Sequence, residues 1–177
     1  MFQYGIYKDD PNWVPPLMME RKDFLDPKKN PWFEFGSVEL FLARRGGEVV
    51  GRIAAVNDPH YNQFHGTQLG FFGMFECVDD AGVAKGLFEA AAGWCKAQGF
   101  AQMMGPMNFS SNYECSVLTE GFDAPPVVMM AYNPRYYPGL YDACGLTKAK
   151  DLWAWELSSS VPPPEKVARI AEKMRLR

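Results

Sequence analysis

The chain has 177 residues, 47% hydrophobic and 15% aromatic, which is material for one core in one domain. Its net charge is -3 and no segment carries a basic stripe, which argues against a nucleic-acid backbone or an anionic membrane surface as the main partner. The start lacks the pattern of a secretory leader and no run reaches the roughly 18 apolar residues of a membrane span, so a cytoplasmic protein is expected.

Residues 11–16, "PNWVPP", exclude regular helix or central strand, because proline offers no amide hydrogen. Leu17, Met18, Phe24 and Leu25 then recur at helical spacing and predict a short amphipathic helix, broken by "DPKKNP". "SVELFLARR" and "EVVGRIAAVN" read as strands on either side of Gly46 and Gly47, whose tolerance of positive φ suits a hairpin turn. "DPHYNQFHGTQ" reads as a loop, and "LGFFGMFECV" as a strand covered on both faces.

The period then changes. Val83, Leu87, Ala91 and Trp94 repeat at four, four and three, one face of a helix that Asp79 or Asp80 can cap and Gly99 can end. "AQMMG" is a short strand, residues 106–126 are irregular and polar, and "VVMMAY" is a further strand or extended segment. "YYPGLYDACGL" predicts a short helix between Pro138 and Gly145, and "KDLWAWEL" a last strand. The final residues start another helix at Val167, Ile170 and Met174. Residues 1–157 are therefore expected to form one domain, and 158–177 a linker and helix leading into a further region. The order implies an α/β fold with a mixed, mostly antiparallel central sheet flanked by helices.

Three features carry possible chemistry. The first is "DDAGVAKG". Gly82, Gly86 and the small Ala81 and Ala84 leave a helix start bare, and its free N–H groups suit a phosphate; close helix-on-sheet packing also wants small residues. The second is Glu76, a carboxylate in an apolar strand, where burial raises a pKa; solvent exposure or pairing with an arginine is the plain alternative. The third is "NFSSNYE", where Asn108, Ser110, Asn112 and Glu114 either line an acceptor site or cap local turns. Cys77, Cys95, Cys115 and Cys144 form no CxxC pair and are expected to be reduced, buried thiols; Cys115 lacks a nearby base as a nucleophile. His60 and His65 alone do not close a metal site, so no metal is expected.

The strand, the glycine-marked turn, the helix ending "WCKAQGF", the next strand and the helix ending "YDACGL" together resemble the GCN5-related N-acetyltransferase superfamily. "PNWVPPL", "GPMNFSSN", "EGFDAPP" and "YNPRYY" look like a bacterial branch of it. The resemblance covers roughly residues 37–157 and leaves the irregular insertion unmatched. It implies an acyl-CoA N-acyltransferase fold, with acetyl-CoA or another acyl-CoA as co-substrate and a small-molecule amine as acceptor. It places the co-substrate along Met74, Phe75, Glu76, Asp79, Ala81, Gly82, Val83, Ala84 and Lys85. Tyr141 falls where such enzymes often keep a general acid, and Glu76 is the candidate base.

One departure stands out: Asp79 sits where the superfamily has Arg or Gln, and Asp80 follows it, so two negative charges meet the expected pyrophosphate, with Lys85 as partial compensation. Two further functions fit the same resemblance: a degenerate, non-catalytic domain serving a partner, and a long-chain N-acyl amino acid synthase. A second similar domain or a homodimer partner is also compatible with it.

Overall fold

The computed structural model describes residues 2–156, 158 and 160–175. Two short N-terminal helices, α1 (Phe2–Ile6) and α2 (Met18–Phe24), precede a 3-10 turn at Pro31–Glu34. The hairpin β1 (Ser37–Arg45) and β2 (Glu48–Asn57) follows, then α3 (Pro59–His65), β3 (Leu69–Cys77), α4 (Ala81–Ala97), β4 (Gln102–Met104), α5 (Tyr137–Ala143) and α6 (Glu165–Arg175). Among the described residues the strands form one sheet in the order β1-β2-β3-β4, antiparallel except for the parallel β3–β4 pair. The fold is thus α/β, with a mixed, mostly antiparallel sheet flanked by helices.

The two-residue period of a strand explains how β2 serves both faces. Ile53 and Ala55 point to the side covered by α4 and α5, packing with Phe72, Leu87, Phe88 and Leu140. Ala54 and Val56 point the other way, where Trp32, Met107 and Phe109 cover them. That second face is roofed by the 3-10 turn and the loop after β4, with Phe24 of α2 stacked on Phe109 at 4.5 Å between ring centroids. Gly46 and Gly47 have φ of 56° and 87°, the positive values that a tight hairpin turn demands. Gly73 has a different reason to be glycine: a Cβ there would collide with the Met107 carbonyl, so its bareness lets the loop lie directly on β3.

Three expectations need correction. "DPHYNQFHGTQ" is not a loop but contains α3: the Asp58 side chain accepts the Tyr61 N–H at 3.0 Å, Pro59 begins the helix and Gly66 ends it at φ 63°. "VVMMAY" is not a strand; Met130 N–H bonds back to the Val127 carbonyl at 3.0 Å in a turn. "KDLWAWEL" forms no strand over its described residues, and Leu157 lies outside them. No described strand runs beside it, so its apolar side chains have nothing to bury against, and Trp153 and Trp155 are 74% and 84% exposed. The short α1 had no counterpart in the sequence reading.

Candidate functional site

The site is built around an irregularity in β3. Ala54 pairs with Gly73 and Arg52 with Glu76, so Met74 and Phe75 together face the single residue Ile53. This is a β-bulge, and Met74 takes up the extra length with φ 49°. Such bulges re-aim side chains, and a non-glycine residue at positive φ persists only where its surroundings hold it. The hold comes from the loop after β4: Asn108 Oδ1 accepts the Met74 N–H at 2.7 Å. Asn108 is itself held, donating from Nδ2 to Glu114 at 3.0 Å, and Glu114 is gripped by both terminal nitrogens of Arg21 on α2.

Just past the bulge, the Glu76 side chain turns into a buried polar cluster. Its Oε2 accepts the Tyr137 hydroxyl at 2.7 Å and the Tyr7 hydroxyl at 3.1 Å. Arg52, its cross-strand partner, brings a guanidinium nitrogen to 3.6 Å of Oε1 and also donates to Gln3 of α1. The Tyr137 oxygen in turn accepts the Cys77 N–H at 2.9 Å, tying α5 to the end of β3. Tyr7 lies flat on Trp13, with centroids 4.8 Å apart, which fixes its ring.

Burial pushes the Glu76 carboxyl above the usual carboxylate range, although Arg52, Tyr137 and Tyr7 pull it part of the way back. Burial and the neighbouring Glu76 raise the Tyr7, Tyr137 and Tyr141 hydroxyls well beyond ordinary tyrosine, so all three remain protonated donors at neutral pH. Glu114 is the reverse case: burial alone would raise it, but the hydrogen bonds from Arg21 and Asn108 outweigh that and hold it below the usual range.

These groups line one cavity of about 160 Å³. Met74, Phe75, Glu76, Asn108, Glu114 and Tyr141, all singled out in the sequence, meet there. Tyr141 is 8% exposed and stands edge-on to Phe75 at 5.3 Å. Ser110 and Asn112 are not among the lining residues: the Ser110 hydroxyl accepts the Asn112 N–H at 3.2 Å, a local turn that leaves Asn112 exposed. The plain alternative, turn capping, describes that pair.

Several participants went unnoticed in the sequence. Tyr137 lies one helical turn before Tyr141, and Arg52 faces Glu76 across the sheet; both carried a local signal in helix period and strand register. Tyr7, Gln3 and Arg21 come from the N-terminal segment and carried none.

The start of α4 presents a different picture. Asp80 Oδ1 accepts the Gly82 N–H at 2.8 Å and the Val83 N–H at 3.1 Å, and Arg45 clamps the other oxygen at 2.6 Å. This charge and these bonds hold the Asp80 carboxyl below its ordinary value. Ala84 is buried, its N–H already given to the Asp80 carbonyl at 3.0 Å. Lys85 is exposed, 3.9 Å from Glu89. Asp79 and Ala81 are exposed. As placed, this helix start does not fit a diphosphate: the Gly82, Val83 and Ala84 donors are all taken by Asp80, and its carboxylate stands where the anion would sit.

No helix among the described residues is long and apolar enough to cross a membrane. No family model matches the chain, and neither does any solved structure. It is 44% identical over 165 residues to a protein of Caulobacter vibrioides named "Bacterial ceramide synthase", covering 93% of this chain and 43% of that protein. It is 39% identical over 154 residues to "Protein YghO" of Escherichia coli, covering 87% of this chain and 39% of that one. The chain thus spans less than half the length of the curated relatives it matches.

Proposed function

We propose that this chain is the acyl-transfer domain of an N-acyltransferase with a GCN5-related architecture, joining an acyl group from a thioester, acyl-CoA by the resemblance, to an amine. The observation that carries the reading is Glu76: a carboxylate only 14% exposed and of raised pKa, set just past a β-bulge on a cavity, with Tyr141 on the same wall. Amide formation needs a group that removes a proton from the attacking nitrogen and one that protonates the leaving group. Glu76 is suited to the first task, because burial makes its carboxylate more basic than an exposed glutamate's. Tyr141 is assigned to the second by the resemblance and by its place on the cavity wall; burial and Glu76 make its hydroxyl a weaker acid than an ordinary tyrosine, so it can give up its proton only to a strongly basic leaving atom. The balance is simple: a nitrogen–carbon bond forms, the bond from carbon to the leaving group breaks, one proton passes from nitrogen to Glu76 and one from Tyr141 to the leaving atom. Solvent at the cavity restores both groups.

The name of the Caulobacter relative supports a narrower form. A ceramide is an amide of a long-chain amino alcohol, so an amino-alcohol acceptor and a long acyl group are favoured over acetylation of a small amine. The test is release of free thiol from short- and long-chain acyl-CoA with amino-alcohol acceptors. Turnover is expected with the long-chain donor, and Tyr141→Phe is expected to slow it while leaving the fold intact. A full-rate phenylalanine variant would leave that ring a packing role.

A second reading, a non-catalytic domain that serves a partner, is favoured by Asp80 filling the helix start. A thermal-shift measurement with acyl-CoA and free CoA separates the two. A ligand at a hundred times its Kd adds about 2.7 kcal/mol of stability, and no shift with either would favour the non-catalytic domain.

A further inference from the structure

Ser116 lines the cavity two residues beyond the polar run that ends at Glu114. Its φ is 77°, in the left-handed region where any side chain is crowded by its own backbone. Six glycines of this chain take up positive φ elsewhere, at no such cost. At 116 the strained position carries a hydroxyl instead. Strain of this kind persists only where the surroundings hold it, and the hold is on the page. The Ser116 N–H donates to the Pro106 carbonyl at 2.8 Å, Cys115 forms an antiparallel bridge with Met107, and the Leu118 N–H donates to Asn133 at 2.7 Å.

The hydrogen bonds of the cavity wall add a second observation. Five hydroxyls line it, those of Tyr7, Ser116, Tyr132, Tyr137 and Tyr141. Three are engaged by carboxylates: Tyr7 and Tyr137 donate to Glu76, and Tyr132 donates to Asp10 at 2.8 Å. Arg21 and Asn108 are engaged by Glu114, and the Met74 amide at the bulge is engaged by Asn108. Among the described residues, the Ser116 and Tyr141 hydroxyls have no partner, yet neither is sealed in protein as Trp32 Nε1 and Arg52 Nε are. Both therefore open on the cavity, and only one of them has been given a task above.

Resting on the acyl-transfer reading, we propose that Ser116 is a further catalytic residue, whose hydroxyl donates to the acyl carbonyl oxygen and stabilises the negative charge that gathers there during amine attack. A donor held in place before the reaction stabilises such charge best, because nothing has to reorganise when it appears. The fixed backbone of Ser116 supplies that condition. The carbonyl oxygen gains charge as the nitrogen–carbon bond forms and returns it as the bond to the leaving atom breaks. Ser116 keeps its proton throughout, so the proton balance between Glu76 and Tyr141 is unchanged.

The experiment compares the parent chain with Ser116→Ala and Ser116→Gly, by steady-state kinetics with long-chain acyl-CoA and an amino alcohol and by denaturant unfolding. Both variants lack the hydroxyl, but only glycine relieves the backbone. Both are expected to lose on the order of 10²-fold in kcat, with KM for either substrate little changed, the mark of a contact made in the transition state. The glycine variant is expected to unfold at a higher denaturant concentration than the alanine variant, so its lost rate is not lost fold. A full-rate glycine variant would overturn the proposal, whether or not alanine is slow, because the side chain would then matter only through the backbone. A raised KM at unchanged kcat would overturn it too, leaving Ser116 a ground-state contact. A parent chain that turns over while both variants match it counts against Ser116 alone. A parent chain that turns over no acyl thioester removes the acyl-transfer reading, and the role of Ser116 with it.

Discussion

Glu76 and Asp80 are four residues apart, and their surroundings make them opposites. Glu76 lines the cavity with its side chain only 14% exposed, and loss of solvent lifts its pKa. Asp80 lies at the surface, where Arg45 and two helix amides lower its pKa. One carboxylate is kept ready to take up a proton, and the other is kept charged to finish a helix. The contrast shows why the proposed chemistry is assigned to the bulge in β3, while the helix start, which the superfamily resemblance would fill with phosphate, is engaged in its own stability.

The largest expected effect comes from removing the first carboxylate. Glu76→Gln is expected to lower turnover by on the order of 10²–10⁴, measured by steady-state kinetics. An unaltered rate would dissolve the contrast. Tyr137→Phe sharpens it: the Cys77 N–H loses its acceptor inside the core and Glu76 loses a donor. Denaturant unfolding should register a loss of about 1–3 kcal/mol, and the acid limb of the pH–rate profile should move to higher pH, because the charged form of Glu76 is less well supported.

Asp80→Ala tests the other side. It removes the cap and the Arg45 pair, so the melting temperature should fall, yet the Gly82 and Val83 amides are freed. CoA should bind more tightly to this variant than to the parent. Unchanged CoA binding would support the non-catalytic reading.

The smallest effect is one of pH. The Glu114 carboxyl is depressed in the folded state. It therefore contributes stability above its unfolded pKa, near 4.3, and loses it as pH falls through the lower folded value. Glu76 has the opposite sign: its raised folded pKa favours folding below its unfolded pKa, a contribution lost as pH rises through the folded value. Glu114→Gln should remove part of the acid sensitivity measured by unfolding between pH 5 and 2.

The legible parts of the molecule were those whose signal is local. The hairpin at Gly46 and Gly47, the apolar strand around Phe72 and the four-four-three spacing of α4 follow from short-range chemistry, and each element forms as expected. Glu76 was visible because a carboxylate in an apolar strand is unusual. α3 was also written locally, in Asp58, Pro59 and Gly66, but its polar composition disguised it. What was not legible depends on distance along the chain: Tyr7 reaches Glu76 across 69 positions and Arg21 reaches Glu114 across 93. "KDLWAWEL" shows the converse, a strand-like pattern with no described strand beside it to pair with.

The two tyrosine hydroxyls on Glu76 have a directional consequence. A carboxylate oxygen offers two lone pairs, and on Oε2 one faces Tyr137 and the other Tyr7. Oε1, the oxygen beside Arg52, carries no tyrosine donor and is the position left open to an arriving proton while both hydroxyls donate to Oε2. In the proposed reaction the nucleophile then has one side from which to approach, and the guanidinium stands guard over it.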